Sequence, residues 1–514
     1  MSRLTRRLSV IHFAAGCADL RTGRVTRSLE MEHIETESTY ISPRNNKTRK
    51  GPLMSSSFLA RENTIAGPGF NRFLVPPAAL AVHLCIGQAY AFSTFNLPLT
   101  KLIGLSQSAP GDWNLKDVGW VFSIAIVFLG ASAALFGRWV ERVGPRKSMF
   151  VSAMCFAGGF LVSAIGIHFH ELWIIYLGYG VLGGCGLGIG YISPVSTLIK
   201  WFPDRPGMAT GMAIMGFGGG ALIAAPLSVL LMKHFATASS NGVLETFVTM
   251  GVIYFMFMMI GVITVRVPPE DWKPAGWIPS AHARPLVTQA NVSVDVAWRT
   301  AQFWLLWVVL CMNVTAGIGV LGQASPMIQE MFPGRITPIA AASFVGLISL
   351  FNMIGRFFWA STSDFIGRRN TYMVFFTLGI ILYALVPTFG HMGSTPLFVG
   401  AFCIILSMYG GGFATIPAYL RDVFGTLQVG AIHGRLLTAW SVAGVLGPVL
   451  VNYIRAYQID NGVPKAQAYS VTMYIMCGLL LIGFICNFAM HAVNEKYHYK
   501  GPAPGTAPTG GKTS

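Results

Sequence analysis

Apolar stretches of roughly twenty residues recur along the whole chain, joined mostly by short polar connections. A bilayer offers no water to backbone N–H and C=O groups, so a stretch that crosses one must satisfy them internally. About 20 residues suffice to span the hydrocarbon core as a helix. About twelve such helices are expected, near 73–96, 116–138, 148–167, 172–199, 207–232, 245–265, 302–324, 339–361, 371–389, 396–420, 435–457 and 469–491. With 53% hydrophobic residues against 11% charged, the chain reads as an all-α polytopic membrane protein rather than a soluble one.

A net charge of +16 could suggest a nucleic-acid partner, but its distribution excludes one. Lys and Arg collect in alternate connections: Arg138, Arg142, Arg146 and Lys147; Lys200 and Arg205; Arg266 to Arg299; Arg368 and Arg369; Arg421 and Arg435. That asymmetry places both termini and the middle connection in the cytoplasm, with the protein integral to the plasma (inner) membrane. The eight cysteines are scattered, without a CxxC pair or Cys/His ligand spacing, so neither disulfide framework nor metal site is expected. No nucleophile–base pair or nucleotide loop stands out either, so neither an enzyme nor a cofactor is expected.

Within the eighth apolar stretch, NMIGRFFWASTSDFIGRRN (352–370) carries one arginine where lipid-embedded sequence should have none. Arg356 lies eight residues before Asp364, about 12 Å along a helix. With Asp364 at the membrane surface, Arg356 is deep, and a charge at that depth must face a cavity or a partner. Asn352 lies one turn before it. An asparagine can orient a guanidinium without neutralising it.

The segment 137–148, GRWVERVGPRKS, repeats as 360–370, ASTSDFIGRRN: Glu141 falls on Asp364, Gly144 on Gly367 and Arg146 on Arg369, at a constant offset of 223. Two copies of one six-helix unit are therefore expected. The N-terminal bundle covers 71–265, a cytoplasmic linker 266–300 and the C-terminal bundle 301–492. Arg356 falls on Ala133 at the same offset, so its charge is no part of the shared scaffold. Residues 1–70 read as a disordered arm attracted to anionic lipid, or as a mis-assigned start with translation from Met54; 493–514 read as a disordered tail. Glycines at 180, 184 and 188 have the spacing of close helix packing rather than of a nucleotide loop. Trp272 and Trp277 are expected at the surface of the linker, and Asn291-Val-Ser293 matches a glycosylation pattern that is inert on a cytoplasmic face.

The two halves, the GRWVERVGPRK and SDFIGRR motifs and the central linker resemble the major facilitator superfamily over about residues 70–495. FNRFLVPPAALAVHLCIGQAYAFSTF, GLGIGYISPVSTLIKWFPDRPGMATGMAIMGFGGG and GRLLTAWSVAGVLGPVLVNYI resemble its oxalate/formate antiporter branch. The resemblance implies secondary active transport of a small carboxylate. It implies that Arg356 binds the carboxylate, helped by Asn352, and that His83, Tyr90, Tyr409, Phe413 and Trp440 wall the cavity. It further implies that Glu141, Arg142, Arg146, Lys147, Asp364, Arg368 and Arg369 form a gate. Trp440 stands where oxalate exchangers of the branch carry a lysine, so one cation remains and a monocarboxylate such as formate, pyruvate or lactate is expected. The coupled partner would be a counter-anion or a proton, the proton with His83 as its carrier. The carrier is expected to be a monomer.

Two other readings compete. A drug/proton antiporter of the same fold would carry a GPxxGG-like signature, where this chain has GGGALIAAP, and a cavity acid. A transport-like carboxylate sensor would carry an extra cytoplasmic domain.

Overall fold

The computed structural model describes residues 57–500 except 106, 270–271, 278–285 and 289. The expectations for 1–56 and 501–514 lie outside the described residues. Among the described residues, twelve helices are long and apolar enough to cross a membrane: α1 Arg72–Ala91, α2 Asp117–Val143, α3 Pro145–His168, α4 Leu172–Trp201, α5 Pro206–Phe235, α6 Val243–Thr264, α7 Ala301–Leu321, α8 Ser343–Ile366, α9 Arg368–His391, α10 Thr395–Phe424, α11 Val429–Asp460 and α12 Ser470–Phe488. Each overlaps one of the twelve stretches expected from the sequence.

Several helices depart from regularity where backbones come together. The first is α-helical over Val75–Ile86, tightens to a 3-10 turn over Gly87–Ala91 and resumes over Ser93–Leu99. A Cβ at Gly87 would lie 2.3 Å from the Phe217 carbonyl oxygen, so only glycine lets α5 approach there. Helix α4 contains a π-helical stretch over Tyr176–Gly183, and α11 breaks at Leu437 between Val429–Leu436 and Thr438–Asp460. The glycines 180, 184 and 188 seat α4 against Ile124, Ala125 and Leu129 of α2, the close packing their spacing predicts.

The tight turns that join α2 to α3 and α8 to α9 share one backbone conformation. Gly144 has φ 82° and Gly367 φ 85°, the left-handed side of the map that glycine alone adopts without strain. Pro145 and Arg368 start the next helix at once. The turns mark one face of the molecule, called the turn face below. Helices α1–α6 and α7–α12 meet chiefly through α5 against α8 and α2 against α11, with α10 and α4 completing the seam. Exchanging the halves maps α2 onto α8 and α5 onto α11, so the two main contacts are equivalents of each other. Large apolar side chains face outward, among them Met256 and Ile260 on α6 and Leu481 and Ile485 on α12, the surface a bilayer requires.

The described part of the linker is tied down more closely than a surface loop. Val267 N donates to Thr64 O and Ala66 N to Val267 O, both 2.9 Å, and Trp272 meets Trp201 at 4.7 Å between ring centroids. Thr288 N and Val292 N donate to the Asp422 and Phe424 carbonyls, and Asn291 Oδ1 accepts from Thr426 N and Leu427 N. Trp272 and Trp277 are both half-buried.

Candidate functional site

Arg356 is completely buried where α8 meets α5. Its Nε donates to Asn352 Oδ1 at 3.0 Å and its Nη1 to the Ile214 carbonyl at 3.5 Å, while Nη2 has no partner in hydrogen-bonding geometry among the described residues. No carboxylate pairs with it among the described residues. The guanidinium lies 5.6 Å from the Phe217 ring centre and 5.3 Å from that of Phe413, one ring from each half. Space for the side chain comes from missing atoms opposite: a Cβ at Gly218 would lie 3.0 Å from Arg356 Nε, and one at Gly410 3.1 Å from its Cγ. Ala133, its counterpart in the first half, is buried, with Gly188 and Gly434 close against its backbone.

Aromatic rings close over the cation. Trp440 touches Phe413 at 4.4 Å, Phe217 at 5.3 Å, Tyr191 at 5.4 Å and Tyr90 at 6.3 Å, and the Tyr90 and Tyr409 hydroxyls meet across the halves at 3.2 Å. Thus Arg356, Asn352, Tyr90, Tyr409, Phe413 and Trp440 converge as one cluster. His83 stands behind it: Nδ1 lies 2.7 Å from Ala213 O and Nε2 3.2 Å from Tyr191 O, both backbone acceptors. Its ring packs on the Tyr191 ring at 5.4 Å. Tyr191, Phe217 and His433 escaped the sequence reading. The signal was present for the first two, because Tyr191 and Phe217 belong to the same glycine-rich segments read there only as packing. His433 is buried against Tyr191 at 5.8 Å, and neither ring nitrogen has a partner among the described residues.

Nearer the turn face, the repeated acids work in a common way. Asp364 accepts from the backbone N–H groups of Gly207 at 2.9 Å and Met208 at 2.8 Å, in the first turn of α5. Glu141 accepts from Gly430 N at 3.1 Å, in the first turn of α11. Gly207 and Gly430 are themselves 223 residues apart, so each half caps the other's helix at the equivalent place. First-turn amides have no intrahelical acceptor and carry the positive end of the helix dipole, which suits a carboxylate. Each acid is also held within its own half: Glu141 by Lys200 and Ser196, both 2.6 Å, and Asp364 by Arg368 at 2.5 Å.

The remaining basic residues of the motifs do not bridge the halves in this way. Arg368 also reaches Asp422 at 3.3 Å in its own half. Arg369 donates to the Phe488 carbonyl. Arg146 is buried and donates to the Phe58 and Asn63 carbonyls, pinning the segment that precedes α1. Arg142 and Lys147 are exposed. Further cross-half bonds run from Thr210 Oγ1 to Ala414 O at 2.7 Å and from Arg421 to Pro203 O at 3.3 Å. The halves are therefore bonded to each other at several points between the turn face and the aromatic cluster. No group of three His, Cys, Asp or Glu able to hold a metal occurs among the described residues.

A buried cation with no carboxylate beside it among the described residues, at the junction of two halves that are bonded to each other at one face, is chemically suited to hold an anion. The chain is similar to the oxalate:formate antiporter of Oxalobacter formigenes, 27% identical over 73% of this chain and 82% of that one. It is also similar to the apicoplast pyruvate carrier 1 of Toxoplasma gondii, 22% identical over 81% and 88%. Among solved structures, the E. coli fucose:proton symporter FucP shares the fold, with TM-score 0.59 at 12% identity over 81% of this chain and 99% of that one. The sequence pattern of the Major Facilitator Superfamily matches residues 69–448 and 335–509. The chain belongs to the Major Facilitator Superfamily and is an integral membrane transporter, not an enzyme.

Proposed function

We propose that the protein carries a small organic monocarboxylate of the formate, pyruvate or lactate kind by alternating access, in exchange for another anion or together with a proton. The observation that carries this reading is Arg356: a fully buried guanidinium that, among the described residues, has a free Nη2 and no acid beside it. Leaving a charge buried and unpaired costs several kcal/mol, and a bound carboxylate offsets that cost through two parallel hydrogen bonds. Asn352 fixes the guanidinium while leaving its charge intact. The aromatic rings from both halves exclude water and make the electrostatic attraction stronger. The names of the two sequence relatives, both small-carboxylate carriers, agree with this cargo. A drug/proton antiporter would need an acid in the cavity, and no carboxylate pairs with Arg356 among the described residues; the glycines 218 and 220 serve to seat Arg356 and α1.

Glu141 and Asp364 act as the two latches of the turn face. By the charge asymmetry of the loops that face is the cytoplasmic one. The direct test is uptake of labelled carboxylates into proteoliposomes, with and without an imposed pH gradient. Arg356→Lys keeps charge but loses the fork, and Arg356→Gln loses both; each should reduce uptake by about a hundredfold, the cost of a lost charge-assisted bidentate contact. Wild-type rates in both variants would move the substrate site elsewhere.

A further inference from the structure

Beyond the guanidinium, the aromatic cluster holds more hydrogen-bond donors than the protein satisfies. Among the described residues, Arg356 Nη2, Tyr191 Oη and Trp440 Nε1 meet no partner in hydrogen-bonding geometry, and all three side chains are fully buried. Native proteins rarely leave such groups unpaired without a ligand or water to meet them. The three surround one ring. Phe217 lies 5.5 Å from Tyr191, 5.3 Å from Trp440 and 5.6 Å from the guanidinium carbon. The Tyr191 and Trp440 rings are 5.4 Å apart.

The kinds of donor restrict the ligand. An indole N–H can only donate, and a phenol is free to do so. A carboxylate bound to Arg356 through two parallel hydrogen bonds engages both of its oxygens with the guanidinium. Two neutral donors then remain for a further acceptor oxygen a short distance away. A second carboxylate would bring a second negative charge against neutral donors alone, so a dianion is disfavoured. A carbonyl or hydroxyl oxygen brings none.

We propose that Trp440 and Tyr191 bind an oxygen on the carbon next to the carboxylate, so that the carrier selects 2-oxo and 2-hydroxy monocarboxylates over acids lacking that oxygen. This rests on Arg356 as the carboxylate site and narrows the cargo within it. Formate has no second carbon, and propionate has a methylene where pyruvate has the carbonyl. A site that leaves buried donors unpaired with the wrong ligand discriminates strongly against it.

The experiment is counterflow of labelled pyruvate in proteoliposomes containing the full chain, displaced by unlabelled pyruvate, lactate, propionate or formate. In the wild type, pyruvate and lactate should displace at concentrations at least about tenfold lower than propionate or formate. Trp440→Phe and Tyr191→Phe keep a ring and remove the donor, and each should shrink the pyruvate-to-propionate ratio about fivefold or more. Monodispersity and thermal stability in detergent establish that the variants fold, and the wild-type ratio needs no variant at all. Equal displacement by pyruvate and propionate, or an unchanged ratio in both variants, overturns the selection by these residues. If uptake still depends on Arg356 in that case, the carboxylate site stands and only its selectivity falls. If no carboxylate enters or displaces, both readings fail.

Discussion

Replacing Asp364 with asparagine removes one charge from a latch while changing almost no volume. The carboxylate accepts from two first-turn amides of the opposite half, Gly207 at 2.9 Å and Met208 at 2.8 Å, and from Arg368 in its own half. Hydrogen bonds to a charged group contribute about 1.5–3 kcal/mol each, and the charge at a helix N-terminus about 0.3–2 more. An asparagine keeps one acceptor and turns its NH2 toward another donor. The closed turn face should therefore lose about 2–4 kcal/mol relative to the open one, a shift of roughly 30- to 700-fold in the equilibrium. Amide hydrogen exchange reads this directly. Neither the Gly207 nor the Met208 N–H has an acceptor within its own helix, so their protection depends on the latch. In nanodiscs, the Asp364→Asn variant should exchange faster in the peptide beginning at Gly207, while the amides of α9 keep their protection. Unchanged exchange at 207–208 would refute the idea that Asp364 holds the halves together.

Asn352→Asp puts a carboxylate on Arg356 Nε and cancels the charge that attracts the cargo; apparent affinity for a monocarboxylate should fall about tenfold or more, measured by substrate displacement at neutral pH. Gly218→Ala places a Cβ 3.0 Å from Arg356 Nε and 3.2 Å from the Met353 Cα. It should displace the guanidinium by a fraction of an ångström and lower transport roughly tenfold, with little change in melting temperature. A Gly218→Ala carrier with wild-type uptake would show that the tight seat of Arg356 is dispensable.

The linear order of residues was enough to establish the class and the twelve spans, and it singled out the repeated motif and Arg356. Each of these depends on properties local in the chain. A run of twenty apolar residues fixes a helix by the need to satisfy its own backbone, and a charge in that run stands out at once. The offset of 223 between Glu141 and Asp364 also needs only counting.

Which side chains share a cavity is another matter. Helical periodicity tells which residues lie on one face of α4 or α5, but not which helix that face meets. Tyr191 and Phe217 stand in glycine-rich segments whose composition speaks for close packing, and only the approach of α8 and α11 turns them into the wall around Arg356. Glu141 and Asp364 were legible as part of a gate, yet their partners across the seam are backbone N–H groups of Gly430 and Gly207, which no side-chain chemistry announces. Packing decided those partners, because a helix start becomes an anion site only once a carboxylate from another helix is brought within hydrogen-bond reach.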